Sequence, residues 1–103
     1  MEMPSFYMGL FGHLLGLVGR QTDARAILAE LIQRRAQEYI PASALAEVHL
    51  GLGEYEDALQ LFEAAYEDRD ITLVWLKEHW MYDPLRSDPR FQAILDRMDF
   101  PEP

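Results

Sequence analysis

Apolar residues recur at three- and four-residue spacing along most of the chain, with glycine or proline between the runs. The first run predicts a helix from about Pro4 to Val18, with proline near its first turn and Gly19 as its stop. A second helix starts at Thr22 or Asp23 and carries Ala24, Ile27, Leu28, Leu31 and Ile32 on one face. Pro41 opens a third, with Leu45, Val48, His49 and Leu52 as its stripe, and Gly53 ends it. The fourth presents Tyr55, Ala58, Leu59, Phe62, Ala65 and Tyr66 on one side and mostly acids on the other. Ile71 to Met81 is apolar almost all round and reads as a fifth helix, broken at Asp83-Pro84. Ser87 or Asp88 caps a sixth, with Pro89 at its first position and Phe91, Ile94, Leu95 and Met98 at i, i+3, i+4 and i+7. No segment alternates apolar and polar residues with period two, so no sheet is expected.

The first four helices repeat. Gly19, Ala24 and Leu28 return as Gly53, Ala58 and Phe62, each 34 positions on; Phe11-Gly12 falls on Leu45-Ala46, and Leu31 on Ala65. A helix–turn–helix pattern inside a fixed period marks stacked units that bury their apolar faces against one another. The two copies resemble the tetratricopeptide repeat, most clearly at Leu45-Ala46, Gly53-Glu54-Tyr55, Ala58, Phe62 and Ala65. The resemblance implies an all-α, right-handed stack of antiparallel helix hairpins with about six helices in one domain over 1–103. Repeat one would cover 5–37, repeat two 39–70, and a non-consensus capping pair 71–99. The string from Asp83 to Phe91 looks like the closing segment of repeat arrays at the C-termini of larger bacterial signalling and regulatory proteins.

Repeats of this family serve protein–protein recognition, so the resemblance implies a non-catalytic interaction module. Its geometry would place Phe6, Gly9, His13, Gly16 and Leu17 of the first helix, and Ile40, Ser43, Glu47, Leu50 and Gly51 of the third, along a concave groove. Some family members clamp a partner's C-terminal carboxylate with Lys, Arg and Asn at such points, and none of these stands there in this chain. An apolar groove with one His and one Glu suits instead a hydrophobic or amphipathic helix or peptide, or packing against a second copy.

Composition narrows the choices. Among the 103 residues there is no cysteine, which removes disulfides and thiol chemistry and fits a reducing, cytoplasmic setting. The net charge is −9 and uneven: residues 1–51 hold five acids and four bases, residues 52–103 thirteen and five. An acidic half repels phosphate backbones and anionic lipid, so neither nucleic acid nor a membrane surface is an expected partner. Met3 to Gly19 lacks any charge, but it is short for a span of about 20 residues and contains Pro4, Ser5 and His13.

Candidate chemistry is sparse. His13, His49 and His79 never stand three or four apart, so no helix offers a paired-histidine metal site, although Glu47 would lie beside His13 on the neighbouring groove helix. No metal and no cofactor is expected. Ser5, Thr22, Ser43 and Ser87 sit at helix starts, where capping accounts for them. Trp75, Trp80, Tyr82, Asp83, Arg86, Asp88 and Arg90 gather near one turn. They read as a cap fixed by Arg–Asp pairs or, alternatively, as a small-ligand or catalytic pocket. Finally, the first helix is apolar on every side, with no helix before it to cover it, and Gly9, Gly12 and Gly16 would admit a close neighbour. This predicts a homodimer through residues 4–18, centred on Phe6, Leu10, His13 and Leu17.

Overall fold

The computed structural model describes residues 4–70, 73, 76 and 79–98. The described residues include five α-helices and a 3₁₀ helix: α1 (Ser5–Leu17), α2 (Gln21–Arg35), α3 (Ala42–Gly51), α4 (Tyr55–Glu67), the 3₁₀ helix Trp80–Leu85, and α5 (Pro89–Met98). Among the described residues there is no strand. The protein is all-α.

The helix ends recur in the backbone. Gly19 takes φ +86° and Gly53 φ +79°, the left-handed conformation that only glycine adopts without strain. At the first stop the amides of Gly19 and Arg20 donate to the carbonyls of Gly16 and Leu15; 34 residues on, Gly53 and Glu54 donate to Leu50 and His49. Both are Schellman closures, which satisfy the orphan carbonyls of the last turn. The end of α4 repeats the pattern without glycine: Arg69 has φ 56° and Asp70 donates to Ala65. Capping at the starts differs from expectation. The N-caps of α1 to α4 are Pro4, Arg20, Pro41 and Glu54, and none offers a side-chain bond. The N-terminus of α3 is served from afar, by the Asp70 carboxylate accepting from the Ser43 amide at 3.3 Å. Two starts follow the local rule: Asp88 accepts from the Arg90 amide of α5 at 2.8 Å, and His79 Nδ1 from the Met81 amide of the 3₁₀ helix at 3.1 Å.

α1 packs against α2 and α3, α3 against α2 and α4, and α4 against α5. α3 is the central element and is buried almost all round, from Ala42 through Val48 and at Leu50 and Gly51. Its small residues permit this. Gly9, Gly12 and Gly16 of α1 all face α3, where an added Cβ would meet Ala44, Val48 and Gly51. The close neighbour these glycines admit is therefore α3, not another copy of the chain. The core forms two clusters: Met8, Leu15, Ala24, Leu28, Leu31 and Val48 between the first three helices, and Ala46, Leu50, Ala58, Phe62, Tyr82, Leu85, Phe91 and Ile94 towards the C-terminus. Ile32, expected on the buried stripe of α2, is exposed.

The fifth helix expected over 71–81 is not what the described residues show. Leu73, in a 3₁₀ turn, and Leu76, in a hydrogen-bonded turn, are buried, and Trp80 opens the 3₁₀ helix. Pro84 lies inside that helix and does not break it. Trp75, Lys77 and Glu78 lie outside the described residues.

Candidate functional site

The inner faces of α1 and α3 carry most of the residues expected to line an open groove. The chain's own C-terminal part packs over Leu10, His13, Glu47 and Leu50, while Ile40 lies in the first core cluster. Gly9, His13, Ile40, Ser43, Glu47 and Leu50 are all buried, with His13 at 1 % and Glu47 at 4 % exposure. Leu10 is partly buried against the C-terminal cluster. Only Phe6 and Leu17 remain about half exposed. The covering residues are Leu73, Leu76, Met81, Tyr82 and Leu85, all at most 4 % exposed. Burying two apolar faces against each other removes both from water, so an open groove on this protein would be the costlier arrangement.

A polar cluster sits beneath this cover. The Tyr82 hydroxyl donates to Oε1 of Glu47 at 3.5 Å, and His13 Nδ1 lies 3.0 Å from the Glu47 backbone carbonyl. Burial, reinforced by the nearby Asp70 charge and offset in part by the Tyr82 bond, pushes the Glu47 carboxyl up to about 8. Glu47 is therefore largely a neutral acid at neutral pH. Burial and then the Glu47 charge push the Tyr82 phenol far above its ordinary value. The His13 imidazole is lowered, chiefly by burial, with the Glu47 carbonyl opposing and His79 adding. At neutral pH the cluster holds little charge, which makes its burial affordable.

The charged residues near Trp80 are engaged in holding the cover down. Arg86 donates to the carbonyls of Leu76 (2.9 Å) and His79 (2.6 Å) and pairs with Asp83 (2.7 Å). Arg90 bridges Asp88 and Glu56, tying the start of α5 to α4. A pocket of about 260 Å³ lies between α1, the α3–α4 turn and the 3₁₀ helix, with Trp80 at one wall.

One constellation is invisible to a search for histidines three or four apart. His49, Glu54 and Asp57 bring possible ligand atoms within 4.8 Å of one another around the Gly53 turn. His49 Nδ1 is 2.9 Å from Glu54 Oε1, and Arg25 of α2 holds the other Glu54 oxygen at 2.8 Å. Those two bonds, Arg25 first, keep the Glu54 carboxyl below its ordinary value. The arrangement ties α2 to the α3–α4 turn and gives the partly buried His49 its partner.

The outer face of α1 is different in kind. Tyr7, Phe11, Leu14 and Val18 fall on one stripe and are 57, 43, 41 and 71 % exposed, with Phe6 and Leu17 at its border. No charged residue occurs on this helix. No helix among the described residues is long and apolar enough to cross a membrane. Comparison with protein-family models, with curated proteins and with solved structures returns no match.

Proposed function

We propose that this chain is a protein–protein interaction module of tetratricopeptide type, without catalysis, that self-associates through the outer face of α1. The observation that carries the reading is the uncharged stripe Tyr7, Phe11, Leu14 and Val18, where four of the exposed large apolar side chains stand together on one helix, bordered by two more, Phe6 and Leu17. Each such side chain forfeits roughly 1.5–3 kcal/mol that burial supplies. The repeat reading draws on the 34-residue recurrence of the glycine stops and their hydrogen bonds.

A second copy suits this face better than a charged partner does. α1 is neutral, and the excess of acid lies in residues 52–103, so two copies meeting through α1 bring little like charge together. The interface is centred on Tyr7, Phe11, Leu14 and Val18, because Leu10 and His13 turn inward. The inner face of α3 is closed to a peptide as long as Leu73, Leu76, Met81, Tyr82 and Leu85 pack against it.

Light scattering at micromolar concentration tests the reading. The wild type is expected as a dimer, and Phe11→Asp with Leu14→Asp as a monomer of unchanged helicity. A strictly monomeric wild type sinks it.

A further inference from the structure

The α3–α4 turn repeats the α1–α2 turn in its backbone and departs from it in charge. The Arg20 amide donates to the Leu15 carbonyl at 2.9 Å, and 34 residues on the Glu54 amide donates to the His49 carbonyl at 2.9 Å. At the first turn Arg20 and Asp23 form an ion pair at 2.6 Å. At the second, Asp57 keeps the place of Asp23, but Glu54 stands for Arg20 and His49 for Leu15. A guanidinium facing a carboxylate has become two carboxylates and an imidazole, with ligand atoms all within 4.8 Å of one another. Like charges so close repel unless a cation lies beside them. Arg25 supplies a cation, but to one oxygen of Glu54 alone, at 2.8 Å. Asp57 has no hydrogen bond or ion pair among the described residues. The dipole at the start of α4 favours acids there, yet Glu54 makes no side-chain cap bond. Nor does a dipole call for an imidazole.

We propose that His49, Glu54 and Asp57 bind a zinc ion at the α3–α4 turn, through His49 Nδ1 and one oxygen of each carboxylate. The donor set fixes the class. Calcium and magnesium take oxygen ligands, whereas a nitrogen with two carboxylates and no thiolate suits zinc. With bonds of about 2.1 Å, donors around a tetrahedral ion stand roughly 3.4 Å apart. His49 Nδ1 and Glu54 Oε1 are already 2.9 Å apart. The Asp57 oxygen, within 4.8 Å of both, has at most about 1.4 Å to close, which an exposed side chain covers by rotation. A carboxylate only accepts, so Nδ1 carries its hydrogen towards Glu54 before zinc binds. Zinc takes that hydrogen's place, and the neutral ring keeps its proton at Nε2. The donors are open to solvent: the His49 and Glu54 side chains are 18 and 29 % exposed, and a Cβ on Gly53 between them would meet nothing within 4 Å. Three protein ligands leave the fourth position to water. Arg25 orients Glu54 from behind, as outer partners of metal ligands do. No residue of the exposed α1 stripe takes part, so the site stands whichever way the dimer test falls.

Calorimetry with zinc chloride on the tag-free chain tests the proposal, with calcium chloride beside it. One equivalent of zinc is expected to bind, and calcium is not. Loss of even an outer partner costs a metal site roughly 10–100-fold in affinity, so Asp57→Asn and His49→Gln are each expected to weaken binding tenfold or more. The circular dichroism of Asp57→Asn, at an exposed position, is expected unchanged. Nitrogen NMR reads the site in the unaltered protein. His49 is expected to pass from the Nδ1–H to the Nε2–H tautomer as zinc is added, while the buried His13 ring does not move. No zinc binding at millimolar concentration, undiminished binding in Asp57→Asn, calcium bound as tightly as zinc, or an unmoved His49 ring would each overturn it.

Discussion

Gly16 and Gly51 lie backbone to backbone where α1 crosses α3: a Cβ built on Gly16 would stand 2.5 Å from the Gly51 carbonyl carbon and 2.6 Å from its oxygen. A Cβ on Gly51 would in turn collide with the backbone of His13. The obstacle on both sides is main chain, which cannot swing away as a side chain does. This crossing sets the distance between the first and third helices. It thereby places His13 Nδ1 within reach of the Glu47 carbonyl.

Gly51→Ala is expected to destabilise by about 1–3 kcal/mol or more through overpacking. Alanine is intrinsically the better helix former by roughly 0.5–1 kcal/mol, so a net loss isolates the steric cost. Gly16→Ala should behave alike. Urea unfolding measures both, and a neutral or stabilising Gly51→Ala would mean the helices cross elsewhere.

Glu47 gives stability an unusual slope. Its carboxyl is raised from an ordinary 4.5 to about 8 in the folded protein. Between those values the unfolded chain releases the proton that the folded chain keeps. Folding is therefore opposed increasingly as pH rises, by up to about 1.4 kcal/mol per unit. Glu47→Gln keeps an acceptor for Tyr82 and removes the titration. It should match the wild type near pH 4.5 and exceed it at pH 8 by roughly 2–4 kcal/mol, the difference opening across that window. His13, lowered by burial, works in the opposite sense below its ordinary value and cancels between the two proteins. A pH-independent difference in denaturation midpoints would show that Glu47 is ionised in the fold.

Much of the helical plan was legible in the residues. Gly19 and Gly53 announced the ends of α1 and α3, and both take the positive φ that such stops need. The spacing of Phe91, Ile94, Leu95 and Met98 marked α5, whose Phe91 and Ile94 are buried. What stayed hidden was tertiary. Nothing in the periodicity of Phe6 to Leu17 says that Tyr82, some 70 residues on, closes over the inner face of α1 and α3. A largely apolar run such as 71–81 predicts burial, as Leu73, Leu76 and Met81 bear out, but it carries no clear period to fix the kind of helix. Asp70 capping Ser43 and Arg25 holding Glu54 join residues more than 25 apart. The spacing rules for helix caps and ion pairs operate only within a turn or two. Most of the residues expected along an open groove are thus buried, because the segments that pack over or against them lie far off in the sequence.

Arg86 is expected to be the residue that keeps the C-terminal cover seated. Its guanidinium spans the Leu76 and His79 carbonyls and the Asp83 carboxylate at once, which a single ammonium cannot reproduce. Arg86→Lys should therefore lose roughly 1–3 kcal/mol despite keeping its charge. Hydrogen exchange gives the sharper check. Amides of Tyr82, Arg86 and Asp88 should exchange faster in the variant, while those of α2 change little. A uniform increase would mean the cover has no local opening of its own.

Ala24 and Ala58 are each wholly buried, one inside α2 and one inside α4, and they stand 34 residues apart. Each amide also donates to the residue four before it, Arg20 and Glu54 respectively, so the two occupy the same place in their helices. If the two hairpins are built alike, enlarging either alanine should cost alike. Ala24→Leu and Ala58→Leu are each expected to overpack by about 1–3 kcal/mol. At this chain length that lowers the melting temperature by roughly 4–8 °C per kcal/mol. Ala29→Leu, on the exposed side of α2, serves as the control and should leave the midpoint within about 0.5 kcal/mol. Calorimetry on the three variants decides the matter: a large loss at one alanine with none at the other would mean that the 34-residue period in the sequence does not extend to the packing of the helices.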